Sequence, residues 1–514
     1  MFEGQPKGLY TLSLANTGER FGYYTMLAVF SLFLQENFNL EAAAASTIYS
    51  SFLMFVYFLP LFGGMLADKF GYKKMVTIGI FVMFLGYAFL SIPAGNGVVG
   101  YSFMYVALAF ICMGTGLFKG NLQVMVGNLF DDPRYAAKRD SAFSIFYMAI
   151  NVGALFAPTA AIWIMDYAQN VLNYSKADSY HFAFAVACVS LILSIAIYYF
   201  GRHTYMTTDG AKAVKADQTE AVQDSNDASD TKARIVALCL VFAVVIFFWM
   251  AFHQNGLTLT FFARDYTATS STGLESMMFD VWNLCLVIIL VYALFAVLQS
   301  HTSAGKIKST VVAVVSVALL GYRYSKLSGA VAIDAPIFQH FNPFFVIALT
   351  PVSMAIFSSL AKKGKEPSAP VKIALGMLVA AVAYVLMAVF SFGLPTPEFS
   401  EVTNPATGEL VKTPLHMADV TPNLLISTYL ILTFAELLLS PMGISFVSKV
   451  APAKYKGLMM GGWFVATAIG NFLVAIPGWL WGIELWILWL VLAGLCLLSY
   501  VFITSQMKKL KKVA

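Results

Sequence analysis

Long apolar runs separated by short polar stretches dominate this chain. Fourteen runs qualify as candidate membrane helices: 10–34, 43–66, 75–92, 99–129, 141–165, 182–200, 234–263, 276–298, 309–322, 341–360, 371–392, 423–447, 457–477 and 485–504. About 20 mostly apolar residues are needed to cross a bilayer as a helix. Helices are the expected form, because a backbone in lipid must satisfy its own polar groups. The ninth run has fourteen residues and is ambiguous on length alone.

The basic residues resolve that ambiguity. With residue 1 in the cytoplasm and sides alternating, 25 of the 32 Lys and Arg residues fall inside and 5 outside. The other 2, Arg20 and Lys119, lie within predicted helices. Cytoplasmic loops carry such an excess of positive charge. If run eight crossed and run nine did not, the last three Lys-rich loops would face outward. The two therefore cross as a pair or not at all, and the length of 276–298 favours the pair.

One long polar stretch divides the chain. Residues 201–233 are rich in Asp, Lys, Thr, Ser and Ala and read as a cytoplasmic linker. Residues 1–200 form an N-terminal six-helix bundle. Residues 234–514 form a C-terminal bundle with an inserted helix pair at about 275–325. Both termini and the linker are cytoplasmic. Six plus six plus two helices suggests a two-bundle transporter of the major facilitator type. The polar stretch 394–422 reads as a plain outside connector.

Composition agrees with the pattern. The 514 residues are 59% hydrophobic and 11% charged, with a mean hydropathy of +0.75. Soluble domains run near 45–50% apolar and about 25% charged. A soluble enzyme, a disulfide scaffold and a disordered chain are excluded. The net charge of +5 does not point to nucleic acid. Cys112, Cys188, Cys239, Cys285 and Cys496 are scattered in apolar stretches without metal or redox spacing. No cleavable signal peptide is expected. No HExxH, GxSxG or His/Asp metal cluster supports an enzyme.

Four charges lie deep in predicted helices: Glu19, Arg20, Lys119 and Glu436. Each costs at least about 2.5–3.5 kcal/mol in mid-membrane, so such residues mark pathways more often than packing. Asn16, Glu19 and Arg20 share one helix face at i, i+3 and i+4. Lys119 lies between Gly114, Gly116 and Gly120, which permit close helix approach. The first bundle thus carries a net positive wall, and Glu436 gives the second a negative one. A zwitterion suits that field, its carboxylate toward Arg20 or Lys119 and its ammonium toward Glu436. Asn151, Asn342, Gln254 and Asn255 are either polar site residues or helix–helix glue. Tyr23, Tyr24, Tyr57 and Trp463 offer apolar pockets with a polar handle.

At these residues the sequence resembles a known family. NTGERFGYY at 16–24, GGMLADKFGYKK at 63–74, GTGLFKGN at 114–121 and FYMAINVGAL at 146–155 are similar to ExxERFxYY, GGxxAD, GxGxxKPN and FYxxINxGSL. These are blocks of the proton-dependent oligopeptide transporter family. FWMAFHQNG (248–256), FNPFFVIALTP (341–351), ELLLSPMG (436–443) and MMGGWFVATAIGN (459–471) continue the likeness in family order. The resemblance implies an all-α major facilitator fold and proton-driven symport of di- and tripeptides by alternating access. It implies no cofactor beyond the proton gradient.

By match to family positions, Glu19, Arg20 and Lys119 handle proton coupling and the peptide carboxylate, and Glu436 the peptide amine. Tyr24, Tyr57, Asn151, Asn342 and Trp463 match peptide-contacting positions. Asp68 and Lys69 fall in the general facilitator loop motif and are expected to bias a cytoplasmic gate. Three features depart from the family pattern: Asn16 stands for the first Glu of ExxER, Gly120 for the Pro after the lysine, and the added helix pair follows the FWxxFxQ block. His253 is either a substitute proton site, since imidazole titrates near neutrality, or a packed neutral histidine. The rivals are a same-fold carrier of another small zwitterion or anion (amino acid, nitrate or drug), or a weakly coupled carrier or sensor. The protein is expected to work as a monomer in a bacterial inner membrane.

Overall fold

In a computed structural model, residues 4–135, 138–205, 228–300, 302–403, 410–452 and 455–513 are described. Most of the predicted linker, 206–227, lies outside them. The helices of the first half are α1 (Lys7–Phe38), α2 (Ala42–Phe70), α3 (Tyr72–Leu90), α4 (Val98–Asn128), α5 (Arg139–Asn170) and α6 (Lys176–Phe200). The second half opens with α7 (Ala228–Phe252), a 3-10 turn (His253–Gly256) and α8 (Thr258–Asp265). A two-residue strand β1 (Ser270–Ser271) and a one-turn helix α9 (Gly273–Ser276) follow. The inserted pair is α10 (Val281–Gln299) and α11 (Ser303–Ser325).

Strand β2 (Val331–Ala332) pairs antiparallel with β1. Then come α12 (Phe341–Lys362) and α13 (Ala369–Phe390), and a hairpin of β3 (Phe399–Thr403) and β4 (Leu410–Pro414). The chain ends with α14 (Pro422–Val450), α15 (Lys456–Leu473), α16 (Ala475–Trp479), α17 (Leu485–Ser505) and α18 (Met507–Val513).

Thirteen spans among the described residues are long and apolar enough to cross a membrane. The 32-residue α1 joins them by length; its mean hydropathy is diluted by Lys7, Glu19, Arg20 and Glu36. Counted with α1, the described residues hold the fourteen crossings expected. An even number puts both termini on one face, called here the terminal face.

The two six-helix bundles and the inserted pair form the major facilitator architecture. In the first bundle α1 lies between α5 and α6, and α4 between α2 and α3. A Cβ on Gly63 would overlap the Gly116 carbonyl, so α2 and α4 meet backbone to backbone. Asn121 Nδ2 seals the contact by donating to the Gly63 carbonyl at 3.0 Å. In the second bundle α13 packs on α14 and α17, while α15 lies against α7 and crosses to α2.

Three elements differ from the sequence expectation. The ninth crossing is a full 23-residue helix, not fourteen. Thr302 caps it through the Gly305 amide at 3.1 Å, and its polar first turn had masked its length. Its neighbour α10 is capped by Asp280, which also takes a 2.7 Å hydrogen bond from Arg323 Nη2. That ion pair pins the two inserted helices together. Only Ala313 and Ser316 of α11 are buried, so the pair is peripheral.

The seventh crossing is broken instead of continuous. The polar run His253–Gly256 interrupts it. The freed backbone is satisfied by side chains, as a broken membrane helix requires. Tyr429 Oη and Thr260 Oγ1 donate to the Asn255 carbonyl at 2.7 and 3.0 Å. Gln254 Nε2 donates to the Met250 and Val474 carbonyls at 3.0 and 3.1 Å.

Nor is 394–422 a plain connector. After the hairpin, Met417 N donates to the Asp265 carbonyl at 2.6 Å and Val420 N to the Tyr266 carbonyl at 2.7 Å. This strap ties the α13–α14 loop to the end of α8.

Candidate functional site

Glu19 and Arg20 of α1 form a pair 1% and 4% exposed. Arg20 Nε and Nη2 each donate to one Glu19 carboxylate oxygen at 2.5 Å. Such a fork is the strongest geometry available to two side chains, and it leaves the pair neutral. The guanidinium also lies 4.7 Å over the Tyr23 ring. Asn16, one turn back, is buried and its Nδ2 has no hydrogen-bond partner.

Lys119 of α4 is only partly buried, and no ion pair to it is formed among the described residues. Its Nζ rests 3.7 Å from the centre of the Tyr57 ring. A cation over an aromatic face is stabilised without being neutralised. Lys119 lies within electrostatic reach of Glu19 and Arg20. Behind Tyr57, the His253 ring is 6.1 Å away and stacks on Trp249 at 5.2 Å. His253 Nε2 is buried without a hydrogen-bond partner and within electrostatic reach of Lys119.

The second half supplies the acid. Glu436 of α14 accepts from Asn342 Nδ2 at 3.0 Å, and Thr433 Oγ1 accepts from the same nitrogen at 3.0 Å. Pro441 lies within α14 beyond Glu436. A Cβ on Gly443 would overlap the Trp463 indole, so that glycine makes the slot in which the buried Trp463 is held.

The two walls face each other across tyrosines. Tyr24, Tyr57 and Tyr147 each lie within electrostatic reach of Glu436, though all three come from the first bundle. Tyr147 is 44% exposed. Its carbonyl takes a 3.0 Å hydrogen bond from Asn151 Nδ2, which fixes Asn151 on the same face. Tyr147 lies within the motif at 146–155, whose likeness to the family carries no role for it. Its spacing of four residues from Asn151 was the available signal. Thr433 was missed too, three residues before Glu436.

Glu19, Arg20, Lys119, Tyr24, Tyr57, Asn342, Glu436 and His253 thus gather in one region. Gln254 does not belong to its lining. It is fully buried, its nitrogen is bonded to two carbonyls, and its Oε1 accepts from Thr258 Oγ1 at 2.7 Å. Every polar group it has is committed to holding the break after α7, which corrects the expected substrate contact. Asp68 and Lys69 are exposed at the terminal-face end of α2, away from both walls. Asp68 accepts a hydrogen bond from the Tyr72 hydroxyl, and Lys69 Nζ lies 5.3 Å over the Phe70 ring.

On the face away from the termini the halves are latched. Arg264 Nη1 donates to Gln35 Oε1 at 2.8 Å and Gln339 Nε2 to the Ala28 carbonyl at 3.0 Å. Trp479 Nε1 donates to Thr47 Oγ1 at 2.9 Å.

Comparison with known proteins places this architecture. The family model described as "POT family" matches residues 73–223 and 323–477. Dipeptide and tripeptide permease A of Salmonella typhi is 25% identical over 483 residues, covering 91% of this chain and 83% of the permease. The uncharacterized transporter YclF of Bacillus subtilis is 27% identical over 541 residues, covering 99% and 96%. The di-/tripeptide transporter of Lactococcus lactis subsp. cremoris is 26% identical, covering 90% and 87%. A crystal structure of peptide transporter POT in complex with sulfate superposes with a TM-score of 0.72 at 23% identity, covering 100% of this chain and 96% of that one. A POT family transporter in complex with 5-aminolevulinic acid gives a TM-score of 0.73 at 19% identity, covering 99% and 98%. The matched segments span more than half of the chain and fall in both bundles, so the chain belongs to the POT family of transporters and is not an enzyme.

Proposed function

We propose that this protein carries di- and tripeptides into the cell by alternating access, coupled to proton entry. The observation that supports this most is that Tyr57 lies against Lys119, a cation with no ion pair among the described residues, and within electrostatic reach of Glu436, the acid held by Asn342. A zwitterion long enough to reach both walls satisfies both. A pure anion gains nothing from Glu436, and a free amino acid is too short to bridge. Recognition through the two termini leaves peptide side chains loosely read, so specificity is broad.

In this reading Lys119 receives the peptide carboxylate, and Arg20 joins when Glu19 takes a proton and releases it. Glu436 and Asn342 hold the ammonium. Tyr24, Tyr57, Asn151 and Trp463 shape the space between. His253 adds a second proton site. Protonated, it repels Lys119; once a carboxylate neutralises Lys119, that repulsion falls. Peptide and proton then favour each other by linkage.

The terminal face is cytoplasmic, and the molecule is latched on its outer side. The bundles 1–200 and 234–514 rock about the site, joined by the 201–233 linker. Asp68 and Lys69 bias the cytoplasmic gate without touching substrate. The protein works as a monomer in the bacterial inner membrane with the proton gradient as its energy source.

The deciding experiment is dialanine uptake into proteoliposomes with and without an inward proton gradient. Concentration of dialanine only with the gradient is expected. No uptake of any di- or tripeptide under either condition would end the peptide reading.

A further inference from the structure

Asn342 stands in the first turn of α12, and both hydrogens of its side-chain nitrogen have acceptors on α14. One is Glu436 Oε2 and the other Thr433 Oγ1, each at 3.0 Å. A carboxylate can only accept, so the nitrogen end of the amide must face Glu436. The oxygen end is then turned away from α14. Asn342 Oδ1 has no hydrogen bond among the described residues and is not one of the buried orphan atoms. It belongs to a half-buried residue at the face of the site.

An ammonium has three donors and needs acceptors around it. The free oxygen of Asn342 and the Glu436 carboxylate supply two kinds on adjacent atoms. That arrangement holds only while the amide keeps its orientation. The terminal torsion of Asn is broad and nearly two-fold. With Glu436 alone as tether, one hydrogen bond limits it. Thr433 supplies the second. Fully buried, three residues before Glu436 on α14, it holds Asn342 from behind while Glu436 holds it from the side.

We infer that Thr433 is a positioning residue for an ammonium subsite: its hydroxyl locks the Asn342 amide with the oxygen toward the bound amine. This rests on the peptide reading above. Thr433 touches no substrate and acts through Asn342. A valine there keeps the shape and removes the acceptor. A serine keeps the acceptor.

The test uses the full chain in lipid nanodiscs with two probes, dialanine and N-acetyl-dialanine, whose amine is blocked. Wild type is expected to bind dialanine well above the blocked peptide. T433V should lose roughly tenfold in dialanine affinity, about 1.4 kcal/mol, and leave N-acetyl-dialanine unchanged. T433S should restore the discrimination. Equal losses for both probes in T433V, or a valine variant that discriminates like wild type, would overturn the inference while leaving the Glu436 role standing. Wild type binding both probes alike would overturn the ammonium reading, and the inference with it. T433A is read the same way if T433V does not yield folded protein.

Discussion

Lys119 and Glu19 stand within electrostatic reach of each other, yet the Glu19 carboxylate is taken by Arg20 through two 2.5 Å hydrogen bonds. Of the three deep charges in the first bundle, two cancel as neighbours, and the third lies over a ring with no ion pair among the described residues. The cation available to a ligand at rest is therefore Lys119. K119A should abolish detectable peptide binding, whereas E19Q should retain binding and lose concentrative uptake. Binding in nanodiscs and gradient-driven uptake separate the two. A K119A protein that binds dialanine like wild type would remove the lysine from recognition.

Breaking the buried pair from the other side should cost stability. R20A leaves the Glu19 carboxylate buried without its partner, and removing one member of a buried pair typically costs about 3–5 kcal/mol. The double variant R20A/E19Q should recover much of that. Thermal unfolding in detergent reads both, and a single variant as stable as wild type would contradict the pairing.

The slot at Gly443 predicts a size-specific defect. G443A forces the Trp463 indole to shift, an overpacking expected to cost about 1–3 kcal/mol. G443A/W463F should regain stability because the smaller ring vacates the overlap. No rescue would mean that the glycine serves the backbone instead.

The strap on the face away from the termini should respond to pH. His416 Nδ1 lies 3.1 Å from the Arg264 carbonyl and Nε2 lies 2.9 Å from the Asp419 carboxylate, both acceptors. Burial lowers the imidazole pKa, but these hydrogen bonds outweigh it and leave it raised. A raised histidine contributes stability below its unfolded pKa and loses it as pH rises through the folded one. Protection factors for the Met417 and Val420 amides should therefore be higher at about pH 5.5 than at about pH 8.5, on either side of the ordinary histidine value near 6.5. H416A should flatten the difference, and an unchanged pH dependence would exclude this side chain as its source.

Asn16 offers a gain-of-function test. Its orphan Nδ2 lies one turn from Glu19 on the same face. N16E adds a second carboxylate able to contend for Arg20 and Lys119, and should shift the pH optimum of uptake. An identical optimum would place position 16 outside the coupling path.

Much of the fold was legible because lipid simplifies the code. Apolar length marked the crossings, and the asymmetry of Lys and Arg carried the ninth one, where length alone failed. The walls were legible for the same reason: Glu19, Arg20, Lys119 and Glu436 are conspicuous where charge is expensive. What was hidden depends on hydrogen-bond direction. Gln254 looks like a site residue in sequence, and only its three partners show that it repairs a broken helix. Thr433 looks like an ordinary helix threonine until Asn342 is seen against it. The strap at Met417 and Val420 had no signal, since backbone pairing in a polar loop leaves no pattern in side chains.

The interruption at His253–Gly256 sets a short lever behind the latch on the face away from the termini. Beyond it, α8 is a lever of eight residues, roughly 12 Å at 1.5 Å rise per residue. Its far end carries Arg264 against Gln35. Its near end follows the break at His253, whose ring lies 6.1 Å from that of Tyr57. One end of this short rod thus adjoins the proposed site, and the other carries one of the three contacts that latch the halves on the face away from the termini.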